Sequence, residues 1–225
     1  IATGHILTLE DPIEFLFRNK KSIVNQREIG NDASDLTVAL KNALRQAPDC
    51  ILIGEIRDKE TMSAALAYAQ SGHLVVATLH ANNSYQALTR VINFYPIENR
   101  QSLLADLSSS LRAIVSQRLV SAIDGKRRAA VEVMLNTRHI AELIEQGEIA
   151  LIKEAIEKSL SPGSQTFEQA LMQLIKDGVV TQDEALAHAD SASNLFWLLN
   201  NSAQAVEEEA PEQEEASFTE FTLKM

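Results

Sequence analysis

Asp49-Cys-Ile-Leu-Ile-Gly-Glu-Ile-Arg-Asp58 decides the fold. The apolar run Cys50–Ile53 has strand length and is stopped by Gly54. An uninterrupted apolar strand is one covered on both faces, as strands of parallel sheets are. Charged groups follow at once: Glu55, Arg57 and Asp58. Asp58 suits an N-cap, and Met62, Leu66 and Ala69 then mark a helix that closes at Ser71-Gly72.

The same unit recurs on both sides. Upstream, His5-Ile-Leu-Thr-Leu9 is a short apolar run that ends in Glu10-Asp-Pro12. Ser34-Asp35 then introduces Leu36, Leu40 and Leu44, the i, i+4 stripe of a capped helix that ends near Pro48. Downstream, His73-Leu-Val-Val-Ala-Thr-Leu79 reads as a third strand. The helix after it carries Leu88, Val91, Ile92 and Tyr95 and stops at Pro96. Strands alternating with helices of 10–14 residues predict an α/β layer with a mostly parallel sheet.

Beyond Pro96 the pattern changes. Leu103, Leu104, Leu107, Leu111, Ile114 and Val115 predict one long amphipathic helix, and Ala129–Leu135 alternates like a strand. From Thr137 onward the chain reads as helical, with capping boxes at Thr166–Gln169 and Thr181–Glu184. The expected organisation is a core over 1–96, a small helical subdomain over 97–200 and an acidic tail over 201–225. Residues 205–216 have the composition of a disordered segment.

Bulk properties limit the function classes. The 225 residues carry a net charge of −11, of which the stretch 205–225 contributes −6 and the other 204 residues −5. A near-balanced body with an acidic end lacks the basic surface that nucleic-acid binding needs. The single cysteine, Cys50, excludes an internal disulfide and a cysteine-based zinc cluster, and suits a reducing compartment. The densest apolar cluster, Leu195–Leu199, is far shorter than the ~20 residues of a membrane span. Ile1 is not Met and no signal-peptide pattern follows it, so the chain reads as truncated.

Chemistry gathers where the strands end. In open parallel sheets, ligands bind beyond the carboxyl ends of the strands. Strand one delivers Glu10, Asp11 and Glu14, strand two Glu55, Arg57 and Asp58, and the third apolar run lies between His73 and His80. Acids on neighbouring strands suit Mg²⁺-nucleotide chemistry, one acting on the ion or its water shell and another polarising a water. Each piece alone has a plainer reading: a helix cap for Glu55, a turn at Asp11-Pro12, surface ion pairs for Arg27, Arg45 and Arg90. The argument rests on the ordered set.

That set resembles the type II secretion/type IV pilus ATPase family. Leu7-Thr-Leu-Glu-Asp-Pro-Ile-Glu-Phe15 is similar to its Asp box, Asp49–Asp58 to its Walker B strand, and Gly72-His-Leu-Val-Val-Ala-Thr-Leu-His80 to its His box. The order is the family's, and with Ser116-Gln-Arg-Leu119 the match runs over about residues 5–135. The resemblance implies a RecA-like P-loop ATPase domain, of which this chain carries the C-terminal part. It implies ATP and Mg²⁺ as cofactors, Glu14 as the glutamate that activates water, and Glu55 as the acid acting on Mg²⁺. His73 and His80 would pair near the γ-phosphate. Arg90 matches the arginine of the helix after the His box, and Arg27 and Arg45 would reach across a subunit boundary. Asp11, Arg57 and Asp58 complete the candidate nucleotide-contacting set.

The sequence departs from the family in two places. No G-x-x-x-x-G-K-[ST] loop is present, since Gly125-Lys126 follows Val120 and precedes Arg127. The 225 residues alone are therefore expected not to turn over ATP. The segment Gln117–Arg128 also lacks the cysteines of the assembly and secretion members, which favours the pilus-retraction branch. Within that branch Ala77–Asn83, Asn93–Pro96 and the acidic end resemble the PilU-like group more than the PilT-like one. The implied assembly is a hexameric ring at the cytoplasmic base of the pilus machine. Its implied partners are a PilT-like companion ATPase and a membrane platform protein. Phe218, Phe221, Leu223 and Met225 suggest a docking tail beyond the acidic linker. The alternatives are an assembly or type II secretion ATPase, a ring-forming accessory with dispensable hydrolysis, and a RecA-like nucleic-acid motor, the last disfavoured by charge.

Overall fold

The computed structural model describes residues 3–208. Two compact units make up the chain: residues 1–119 with 129–166, and residues 120–128 with the chain from 167 onward.

The first unit is built on a four-stranded sheet, β1 (His5–Glu10), β2 (Ile23–Glu28), β3 (Cys50–Ile53) and β4 (Leu74–Ala77), in the order β2-β1-β3-β4. Every pairing is parallel. Leu9 is paired with both Arg27 and Ile53, and Ile53 in turn with Ala77, so the carboxyl ends lie along one edge. Leu7, Leu9, Ile51 and Ile53 are buried, as the apolar runs predict.

The helices of this unit are α1 (Leu36–Ala43), α2 (Lys59–Gln70), α3 (Ser84–Asn93), α4 (Ile97–Ser110), α5 (Arg138–Gln146) and α6 (Ile152–Glu157). Local chemistry sets their limits. Asp35 accepts from the Val38 amide at the start of α1 (2.8 Å), and Asp58 accepts from the Thr61 amide at the start of α2 (2.8 Å). Gly72, with φ of +96°, ends the turn after α2 as expected.

One strand has no counterpart in the sequence reading, and two expectations need correction. β2 is a strand although Ile23-Val-Asn-Gln-Arg-Glu28 shows little apolar patterning. It is an edge strand of the described sheet, and pairing with β1 orders it. The long helix expected through Val115 stops at Ser110, and Ala113–Ser121 is a strand, β5, in a hairpin with β6 (Arg127–Leu135). Ile114, Ser116, Arg118 and Val120 alternate with more exposed neighbours, the period of a strand. The boundary expected at residue 96 is not where the units divide. Leu103, Leu104 and Leu107 of α4, with Ile140 and Ile144 of α5, belong to the same core cluster as Leu7, Leu9 and Ile51.

The second unit comprises the hairpin tip at 120–128 and the helices α7 (Phe167–Lys176), α8 (Gln182–His188) and α9 (Ala192–Glu208). Phe167, Leu171, Ala185 and Leu195 are fully buried in it. Thr181 caps α8 through the Glu184 amide, as its capping box predicts. Because α9 runs to Glu208, the first four residues of the acidic segment are helical. The proposed tail residues Phe218, Phe221, Leu223 and Met225 lie outside the described residues.

Candidate active site

The carboxyl edge of the sheet gathers the charged groups because β3 crosses close to the end of β1. The Gly54 amide donates to the Leu9 carbonyl (2.7 Å), and a Cβ at Gly54 would lie 3.0 Å from that oxygen and 3.3 Å from Glu10 Cα. Only glycine allows this approach without moving backbone. Thr78 locks the other side, its hydroxyl donating to the Gly54 carbonyl. The Ile56 amide donates to the Thr78 carbonyl (2.9 Å).

The next residue, Glu55, is the centre of the cluster. Its side chain is 19% exposed, with Oε2 2.9 Å from His80 Nε2 and Oε1 bound by the Arg57 guanidinium. Arg57 Nη1 also stands 3.7 Å from Asp11 Oδ2. The residues expected at the ends of three separate strands thus form one line of polar contacts, Asp11–Arg57–Glu55–His80. Arg57, Asp11 and His80 are more than half exposed, so these pairs hold little folding energy and are free to exchange for a ligand.

The His80 loop is pinned from behind. Arg90 Nη1 donates to the His80 carbonyl (2.9 Å), and Arg118 Nη2 to the Asn82 carbonyl (3.3 Å). Asn83 caps α3 by accepting from the Gln86 amide (2.9 Å). The buried Glu132 carboxylate on β6 accepts from both the Ser84 amide and its hydroxyl (2.7 Å each).

Glu14 stands on the loop after β1. It is exposed, and its carboxylate makes no hydrogen bond or ion pair with another described residue. The loop around it is fastened to β2. The Ile13 amide donates to Glu28 Oε2 (3.1 Å), and Gln26 binds the loop at Phe15 and Phe17.

Other expected residues lie elsewhere. The pairing of His73 with His80 does not form. The two flank opposite ends of β4, whose four residues span roughly 13 Å at about 3.3 Å each. His73 instead meets Ser71 Oγ (3.0 Å) and the edge of the Tyr68 ring. Arg27 donates to Gln46 Oε1 (3.2 Å), and the Gln46 carbonyl meets His5 Nδ1 at the amino end of β1. The guanidinium is therefore engaged with the turn that follows α1. Arg45 is exposed on the turn after α1. Asp58 is engaged as the cap of α2.

Gln26, Glu28, Thr78 and Glu132 escaped the sequence reading. Gln26 and Glu28 stand two apart on β2, opposite Thr8 and Glu10 of β1, but that signal exists only once β2 is known to be a strand.

Among the described residues no group of three or more His, Cys, Asp and Glu side chains could hold a metal ion. A nucleotide-borne Mg²⁺ takes most of its ligands from phosphates and water and few from the protein. Glu55 has its two oxygens engaged by Arg57 and His80, so a contact to such an ion's water shell would have to share one of them. Among the described residues no helix is long and apolar enough to cross a membrane.

Comparison with known proteins shows what the chain is similar to. The chain is 53% identical over 199 residues to the type IV pilus ATPase PilU of Pseudomonas aeruginosa, covering 88% of this chain and 52% of that protein. It is 41% identical to the PilT retraction ATPase of the same organism, over 85% of this chain and 56% of that one. The crystal structure of the pilus retraction motor PilT with bound ADP superposes with a TM-score of 0.80 at 37% identity, covering 87% of this chain and 55% of that one. The chain thus spans about half the length of the relatives it matches. The type II/IV secretion system protein model matches residues 2–147, the span that holds the parallel sheet and the charged edge, and the chain belongs to that family.

Proposed function

We propose that this chain is the catalytic-edge half of an ATP-driven motor subunit for type IV pilus retraction, the movement that underlies twitching. The observation that carries the reading is the Asp11–Arg57–Glu55–His80 chain on the carboxyl edge, with the unpaired Glu14 carboxylate on the loop beside it. The likeness to PilU and PilT supports the retraction branch.

ATP with Mg²⁺ would supply the phosphoryl group and neutralise its charge. Glu14 would accept the proton of the attacking water, its exposed carboxylate being free to do so. Glu55 would hold the metal's water shell while His80, on its other oxygen, reports the state of the site to the loop before α3. Arg57 would exchange Glu55 or Asp11 for phosphate oxygens. Arg45, exposed on its turn, is suited to reach a neighbouring subunit's site in a hexameric ring. Arg27 would do so only after leaving Gln46. The working surroundings of such a ring are the cytoplasmic base of the pilus machine, a membrane platform protein and a PilT-like companion ATPase.

The test is turnover by the full-length protein carrying Glu14→Gln. The expected result is a fall of about 100-fold or more with nucleotide binding retained, since a positioned general base contributes roughly 10²–10⁴. A rate near that of the parent would remove Glu14 from the mechanism and favour the second reading, a ring-forming accessory of the PilT motor. The 225 residues alone, which contain no phosphate-binding loop, should show no ATPase activity above background in a phosphate-release assay.

A further inference from the structure

We propose that Gln26 is a positioning residue for Glu14, a role that rests on the reading of Glu14 as the water-activating carboxylate. The loop after β1 has little apolar anchorage. Phe15 is 75% exposed, Leu16 84% and Phe17 54%, so packing of these side chains does not hold it. Polar contacts to β2 do. The Ile13 amide is fixed on Glu28, one residue before Glu14. On the other side the Gln26 side chain takes over. Its Nε2 donates to the Phe15 carbonyl (2.8 Å) and to Glu10 Oε1 (2.9 Å), and its Oε1 accepts from the Phe17 amide (2.7 Å).

The orientation of this amide is unambiguous. A carbonyl can only accept and a backbone amide can only donate, so the nitrogen must face Phe15 and the oxygen Phe17. All three contacts go to β1 or to the loop that leaves it. The frame is firm, because Gln26 is paired in register with Thr8, whose hydroxyl donates to the same Glu10 oxygen (2.6 Å). Glu14 is thus suspended between two pins, Glu28 and Gln26, and neither touches its carboxylate. A carboxylate in place of the amide would set a third acceptor against the Phe15 carbonyl and Glu10. Glutamine is therefore the required side chain, and glutamate of the same size is not.

The experiment measures single-turnover ATP hydrolysis, kcat, KM and nucleotide affinity on the full-length protein carrying Gln26→Ala, Gln26→Glu, Glu14→Gln, or Glu14→Gln with Gln26→Ala. Gln26→Ala should lower kcat roughly 10- to 100-fold, the cost of a small misplacement of a catalytic group. Nucleotide affinity should stay within about twofold, and Gln26→Glu should lose at least as much turnover near neutral pH. Once Glu14 is Gln, adding Gln26→Ala should change the rate by less than about twofold, because residues that act through one another are not additive. An unchanged kcat in Gln26→Ala, an active Gln26→Glu, or the same factor lost in both backgrounds would overturn the proposal while leaving Glu14 in place. Full turnover by Glu14→Gln would overturn the reading of Glu14 and this proposal with it.

Discussion

Gly54 shows how one position sets the geometry of the edge. A methyl group there would meet the Leu9 carbonyl at 3.0 Å, and the obstacle is backbone, not the end of a flexible side chain. Gly54→Ala should cost about 1–3 kcal/mol of stability, the usual penalty for overpacking. It should also reduce turnover, because the ends of β1 and β3 must separate. A denaturation midpoint and an ATPase rate on the full-length protein check both. The residue that matters beside it, Glu55, was legible as an acid directly after an apolar strand. Its partners were legible only as types. Nothing in the spacing of residues 55, 57 and 80 says that Arg57 and His80 would take one carboxylate oxygen each.

Elements differ in how far they declare themselves. β1, β3 and β4 are apolar runs that the sequence marks as strands; β1 and β3 hold buried residues, whereas β4, at one edge of the described sheet, is exposed or half-buried where a covered strand was expected. β2 lies at the edge of that sheet, and its residues are exposed or half-buried, so only its partner marks it as a strand. β5 was mistaken for helix because Leu111, Ile114 and Val115 continue the helical spacing of Leu103, Leu104 and Leu107. The competing period of two holds over Ala113–Ser121, and pairing with β6 selects it. α8 carries a prediction of its own. The Ser121 backbone amide donates to Glu184 Oε1 (2.7 Å), and this hydrogen bond is the leading cause that holds the Glu184 carboxyl below the usual glutamate range. A folded-state pKa that is depressed stabilises above the unfolded value, and the stabilisation is lost as the pH falls through the folded value. Glu184→Gln should therefore be less stable than the parent near neutral pH, with the difference closing as pH drops below the ordinary glutamate range. Urea midpoints taken across that range measure it.

The two units have separate cores. The sheet and α1–α6 share one cluster, while Phe167, Leu171, Ala185 and Leu195 fill the second unit. Phe167→Ala removes a fully buried ring and should cost about 3–5 kcal/mol. Amide hydrogen exchange should rise chiefly in α7–α9 and at 120–128, with the sheet from His5 to Ala77 much less affected. An equal rise in both units would mean that they unfold as one.

The alternation of apolar runs with capped helices was enough to read a parallel α/β layer. It also placed Glu10, Asp11, Glu55 and His80 on or just beyond the strands, because a short uninterrupted apolar run bounded by turn or charged residues marks a strand in any chain. What such a run omits is which side chains meet. Strand order β2-β1-β3-β4 brings Gln26 and Glu28 against the loop that carries Glu14. That outcome depends on register and on contacts between residues far apart in the chain. Local spacing carries no record of either, since each is settled by pairing energies that exist only once the sheet has formed.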